Sequence, residues 1–138
     1  MPTFQWLEMR ITEERDRRER EAELLSRLGP ALGELQRILG DCIKAYTTAF
    51  GEESATIRRE VGALRVQVAD SQGEVRIRTD AKLPGFQVDR DGATLAIEIG
   101  LLPGNRLYYR DVAADQFVTI DDLTRRILDR VLFPKLRE

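Results

Sequence analysis

Six aspartates, Asp89, Asp91, Asp111, Asp115, Asp121 and Asp122, crowd into the second half of this chain. Carboxylates could act alone in acid–base chemistry, of the paired kind used in glycoside hydrolysis. Most have a local explanation. Asp89 and Asp91 suit turn positions, and Asp121 and Asp122 suit the start of a helix, where a carboxylate caps free N–H groups and meets the positive end of the dipole. Other catalytic chemistries lack their residues. There is no histidine, which removes the commonest general base and metal ligand. With one cysteine as well, neither a zinc ligand set of the usual kind nor a Ser-His-Asp or Cys-His arrangement can be assembled. The glycines occur singly, with no G-x-G-x-x-G and no Walker loop to cradle phosphates. The expectation is a protein that is not an enzyme and needs no cofactor or metal.

Two non-catalytic surfaces are then the candidates. Arg65, Arg76, Arg78, Tyr108 and Arg110 fall on the outward positions of a predicted sheet, together with Gln67, Gln87 and Arg106. A basic sheet face carrying an aromatic ring is one way to bind single-stranded RNA or another anion. Only Tyr108 offers a ring, Glu74, Asp89 and Glu98 share the face, and the net charge is −2. These features argue against nucleic acid and for cross-strand Arg–carboxylate pairs on a solvated face. The second surface is Phe4, Trp6, Leu7, Met9 and Ile11, apolar residues that need burial and lie close to the N-terminus.

The elements that would position these residues follow from periodicity. Phe4, Leu7 and Ile11, and later Leu24, Leu25 and Leu28, have helical spacing, so residues 1–29 are predicted as a charged helical arm. Glu13 to Glu21 are all charged, and Glu13–Arg17, Glu14–Arg18 and Asp16–Arg20 are i,i+4 pairs in the favoured order. This charged stretch spans about 14 Å of helix, far enough to carry the apolar tip towards a second chain. Gly29-Pro30 is expected to break the helix, because Pro lacks a backbone donor and disfavours helical geometry just before it. Residues 30–51 then form an amphipathic helix with Leu32, Leu35, Ile38, Leu39, Cys42, Ile43 and Tyr46 on one face and Gly51 as C-cap. Cys42 lies in that apolar stripe and reads as a small buried hydrophobe rather than a nucleophile.

Residues 55–112 read as an antiparallel meander of four to five strands. Leu64, Val66 and Val68 alternate with polar neighbours, as do Val75, Ile77 and Thr79. A turn at Gln72-Gly73 would pair Val68 with Ile77 and Val66 with Thr79. Asp91-Gly92 suits a tight turn and pairs Val88 with Leu95 and Phe86 with Ile97. At Pro103-Gly104-Asn105 an odd-length loop is preferred, because it brings Leu107 and Tyr109 onto the apolar face and keeps Arg110 off it. Thr56 to Val61 is expected as an edge strand with a kink at Gly62, and Phe117 and Val118 as a buried anchor. Residues 119–133 form a C-terminal helix, with Thr119 and Asp122 as a capping box and Pro134 as its end.

The expected fold is therefore a single α+β domain: helical arm, second helix, antiparallel meander and a C-terminal helix, with both later helices packed on one sheet face. No apolar run approaches the ~20 residues of a membrane span, so no membrane partner is expected. The N-terminus does not read as a secretory signal, and one cysteine gives no reason to expect an oxidising compartment, so the expected location is cytoplasmic. The expected function is a protein-interaction or scaffold module, homodimeric through the N-terminal helix. Small acidic α+β dimers such as type III secretion chaperones are similar in size and charge, which makes a protein client the other partner class. Their element order, a helix between two groups of strands, differs from the one read here, and no residue is carried over.

Overall fold

The computed structural model describes residues 4–69, 73–90 and 92–135. Helix α1 runs Gln5–Phe50, strands β1 to β7 follow at Ala55–Glu60, Ala63–Val68, Gly73–Asp80, Gly85–Arg90, Ala93–Leu102, Arg106–Asp111 and Gln116–Val118, and α2 spans Ile120–Leu132. The strands form one antiparallel sheet whose spatial order is the order of the chain. That simplicity follows from the connections: each strand is joined to the next by a short turn, so it can only pair with its sequence neighbour.

Alternation decides which face is covered. Leu64, Ile77, Val88 and Leu95 lie side by side across β2 to β5, as do Phe86 and Ile97 across β4 and β5. With Leu32, Leu35 and Leu39 of α1 and Leu123, Ile127 and Val131 of α2 they form the core. Both helices therefore lie on the same face, as expected. The helix after β7 starts where Thr119 accepts a hydrogen bond from the Asp122 backbone N–H at 3.2 Å. Gly51 closes α1 with its N–H on the Thr47 carbonyl.

Several expectations need correction. The helix does not break at Gly29-Pro30; α1 is continuous over 46 residues with Pro30 inside. An internal Pro costs about 3 kcal/mol of helix propensity, but Leu28, Ala31, Leu32 and Leu35 around it are all buried. Packing on the sheet outweighs the missing hydrogen bond. The sheet has seven strands rather than four or five. Residues 55–60 do form the edge strand, but Gly62 closes a two-residue turn, with Glu60 opposite Ala63, instead of kinking one strand into the next. Gln116–Val118 adds a seventh strand on β6, and Phe117 points outward, 72% exposed, while Val118 alone is the buried anchor.

Registers divide in the same way. Val88 faces Leu95 and Phe86 faces Ile97 as predicted; Asp91 lies outside the described residues, and Gly92 has the positive φ of 79° that this turn requires. The β5–β6 loop has the odd length expected, so Leu101 meets Leu107 and Ile99 meets Tyr109. The β2–β3 register differs: Val66 faces Val75 and Leu64 faces Ile77. The connection is longer than a Gln72-Gly73 turn, and residues 70–72 lie outside the described residues. The shift is by an even number of residues, so every side chain keeps its predicted face.

One glycine is fixed by its neighbours. A Cβ on Gly85 would lie 1.9 Å from the Ile97 carbonyl oxygen, a backbone atom that cannot move without breaking the β4–β5 ladder. Gly85→Ala is expected to lower stability by on the order of 3 kcal/mol. Urea denaturation should show this as a lower midpoint with an unchanged slope.

Candidate functional site

The outward arginines are brought together but not left free. Arg58, Arg65 and Arg76 stand opposite one another across β1, β2 and β3, and Asp89 of β4 continues the row. Like charges in such a row repel unless carboxylates intervene. Arg65 bonds Glu74 at 2.6 Å and Glu60 at 3.4 Å, and the same Glu60 lies 3.5 Å from Arg76. Arg78 donates to Asp89 at 3.1 Å. Arg110 donates to Glu98 at 3.1 Å and to Asp115 at 2.8 Å. Each arginine named for anion binding thus has a carboxylate partner within the chain.

Tyr108 is occupied as well. Its ring lies against the bare backbone of Gly100, opposite it on β5, and meets the Phe117 ring edge-on at 5.3 Å between centroids. The ring is thus held on the sheet by Gly100 beneath it and Phe117 beside it. The sheet's outer face therefore matches the charge-paired reading, with an aromatic pair at its β6–β7 end.

The aspartates have separate structural duties. Asp111 is the buried one: it sits on the inner face, accepts from Arg126 of α2 at 2.6 Å and from the Ala114 N–H at 3.2 Å, and so ties β6 to α2. Asp89 also accepts from Thr94 at 2.8 Å. Asp121 and Asp122 lie in the first turn of α2. No group of three or more His, Cys, Asp or Glu among the described residues is arranged to hold a metal ion. Cys42 lies beside the core, and burial pushes its thiol upward from the ordinary value, away from the reactive thiolate.

The N-terminal apolar residues have a different setting. Phe4, Trp6, Leu7, Met9 and Ile11 are all between 40% and 67% exposed. From Gln5 to Glu23 no residue of α1 is buried, so about 28 Å of helix extends past the sheet. Its charges pair along the helix: Arg17 is shared by Glu14 and Glu21, Glu14 also reaches Arg18, and Arg10 holds Glu13. Glu14–Arg18 was expected; Glu13 instead turns back towards the tip. Leu7 and Ile11, four residues apart, form one strip, while Trp6 and Met9 form another on the opposite side.

A feature not foreseen is a shallow groove of about 470 Å³ between the C-terminal end of α1 and α2. Cys42, Ala45, Tyr46, Leu128 and the exposed rings of Phe50 and Phe133 line it. Phe50 and Phe133 flank helix ends, where sequence periodicity assigns no face; their aromatic character next to terminating residues was the available signal.

Removal of a buried partner should contrast with removal of an exposed one. Arg126→Leu, which leaves the Asp111 carboxylate buried without its cation, is expected to cost about 1–3 kcal/mol. Arg78→Ala on the outer face should cost about 0–1 kcal/mol; chemical denaturation of both variants makes the comparison. Asp80 and Asp89 give an acid limb. Bonds from the Gln87 amide and the Lys82 N–H hold Asp80 below its ordinary 3.8. For Asp89, partial burial acts upward but is outweighed by Thr94 and Arg78, so it too lies below 3.8. A carboxyl depressed on folding stabilises the native state above its unfolded value and loses that contribution as pH falls through the folded one. The melting temperature should therefore fall as pH is lowered from about 4, less steeply in Asp89→Asn. Comparison of the chain with family models, with curated proteins and with solved structures gives no match.

Proposed function

We propose that this chain is a cytoplasmic, non-catalytic protein-interaction module that self-associates through the N-terminal part of α1. One observation carries the reading: five large apolar side chains lie exposed at the end of a helix that leaves the sheet behind. A side chain of this size gains about 1.5–3 kcal/mol from full burial, and here roughly half of that gain is still to be made. Large apolar side chains left exposed together at one end of a helix, in strips on two of its sides, suit an interaction site. Among the described residues no helix is long and apolar enough to cross a membrane. The charge-paired outer sheet face and the separate duties of the described aspartates support the same reading, since among the described residues they leave no concentrated cation or carboxylate site.

Light scattering on the full chain and on a chain starting at Thr12 tests the proposal. The full chain should have the mass of a dimer and the shortened one that of a monomer, with the sheet signal in circular dichroism retained. Equal masses for the two would overturn self-association through the tip.

A further inference from the structure

The projecting tip is only one end of a longer surface. At 3.6 residues per turn, Ala22, Ser26, Gly29, Gly33 and Gly40 fall within about 40° of a single line along α1, roughly a third of a turn from the line that meets the sheet. Phe4 and Ile11 fall on the same line, and Leu7 beside it. Three glycines inside a helix are each disfavoured by about 0.8–1.0 kcal/mol relative to Ala. Gly29 eases the helical geometry just before Pro30, but nothing within the chain demands the other two: a Cβ at Gly33 or Gly40 would meet no atom within 4 Å. Their use must lie in what approaches from outside, and small residues let a second helix come close.

We infer that the partner is a second copy of this chain, its α1 lying antiparallel along this flank over nearly the full helix length. The inference rests on the self-association proposed above and gives it a geometry. Full overlap pairs each residue with the one equally far from the opposite end of the partner's α1. Gly29 then meets Ser26 and Gly33 meets Ala22 around the two-fold axis, so small faces small where the backbones are closest. Gly40 meets Arg15, and the missing side chain makes room for the long one. Phe4 arrives at the height of Phe50, whose ring turns about a quarter-turn away towards the α1–α2 groove. Charge agrees as well. Glu8 and Lys44 take no ion pair within the chain among the described residues, and this register brings them to the same side of the interface within one turn of each other. An isologous contact makes both pairs at once. Two helices overlapping for about 69 Å also offer a contact long enough to approach the ~800 Å² per partner of a stable interface.

The test is made in the full chain by sedimentation equilibrium with a thermal melt of each variant. Gly33→Leu or Gly40→Leu should raise helix stability within one chain yet weaken the dimer at least about tenfold, because the bulky side chain separates the backbones. Ile11→Glu should weaken it comparably, and Met9→Glu, on the opposite strip, should not. Glu8→Lys and Lys44→Glu should each weaken association, and the double variant should restore it. If truncation at Thr12 yields monomers but both leucine variants remain as dimeric as the parent, the tip associates in some other way and this geometry is wrong. If the charge-reversed double variant is no tighter than either single one, the antiparallel register is overturned. A chain that is monomeric throughout overturns both proposals together.

Discussion

A single apolar sheet face that must be covered governs this molecule. Seven strands joined by short turns can only alternate one way, and every inward side chain from Ile57 to Val118 asks for the same cover. The chain supplies it from both of its ends: the C-terminal half of α1 before the sheet and α2 after it. Because α2 takes part of the surface, only the later turns of α1 are needed, and its earlier turns have nothing beneath them. The projecting arm thus follows from the division of one face between two helices, and its length from continuity through Pro30.

Charge is distributed to suit that architecture. On the outer face acidic residues are interleaved with Arg65, Arg76, Arg78 and Arg110, so the face is polar without being a field of one sign. The arm solves the same problem along one helix, with Arg17 held between Glu14 and Glu21. Its charged middle resists non-specific collapse, while Phe4 and Ile11 at its tip stay available.

What could be read from sequence was whatever period and turn chemistry determine together. The β4–β5 and β5–β6 registers were legible because a tight turn at Gly92 and an odd loop at Asn105 agree with the pattern of Val88, Leu95, Leu107 and Tyr109. At β2–β3 alternation alone fixed the faces but not the pairing, since shifts by even numbers look alike. Pro30 misled because local propensity cannot register the burial of Leu28 to Leu35. Phe117 misled because a three-residue strand is too short to show a period. The tip residues were singled out by composition and spacing, but that they stay exposed among the described residues is a three-dimensional fact. The glycine line was visible in the sequence too; without the position of the sheet, nothing distinguished helical glycines facing open space from glycines pressed on a neighbour.

The strand order has one further consequence. A sheet that never closes has two outer strands whose backbone N–H and C=O groups on one side lack a ladder, and such rims invite strands of other molecules and hence fibrous aggregation. Here the two rims are β1 and β7. The first carries three consecutive charged residues, Arg58, Arg59 and Glu60, and Arg59 reaches back to Gln36 of α1 at 3.2 Å. The second is only three residues long and turns at once into α2. Both rims are thereby poor templates for strand addition. The chain discourages contact where it would be indiscriminate and open-ended, and leaves its apolar surface on a helix, where side-chain shape decides which partner fits.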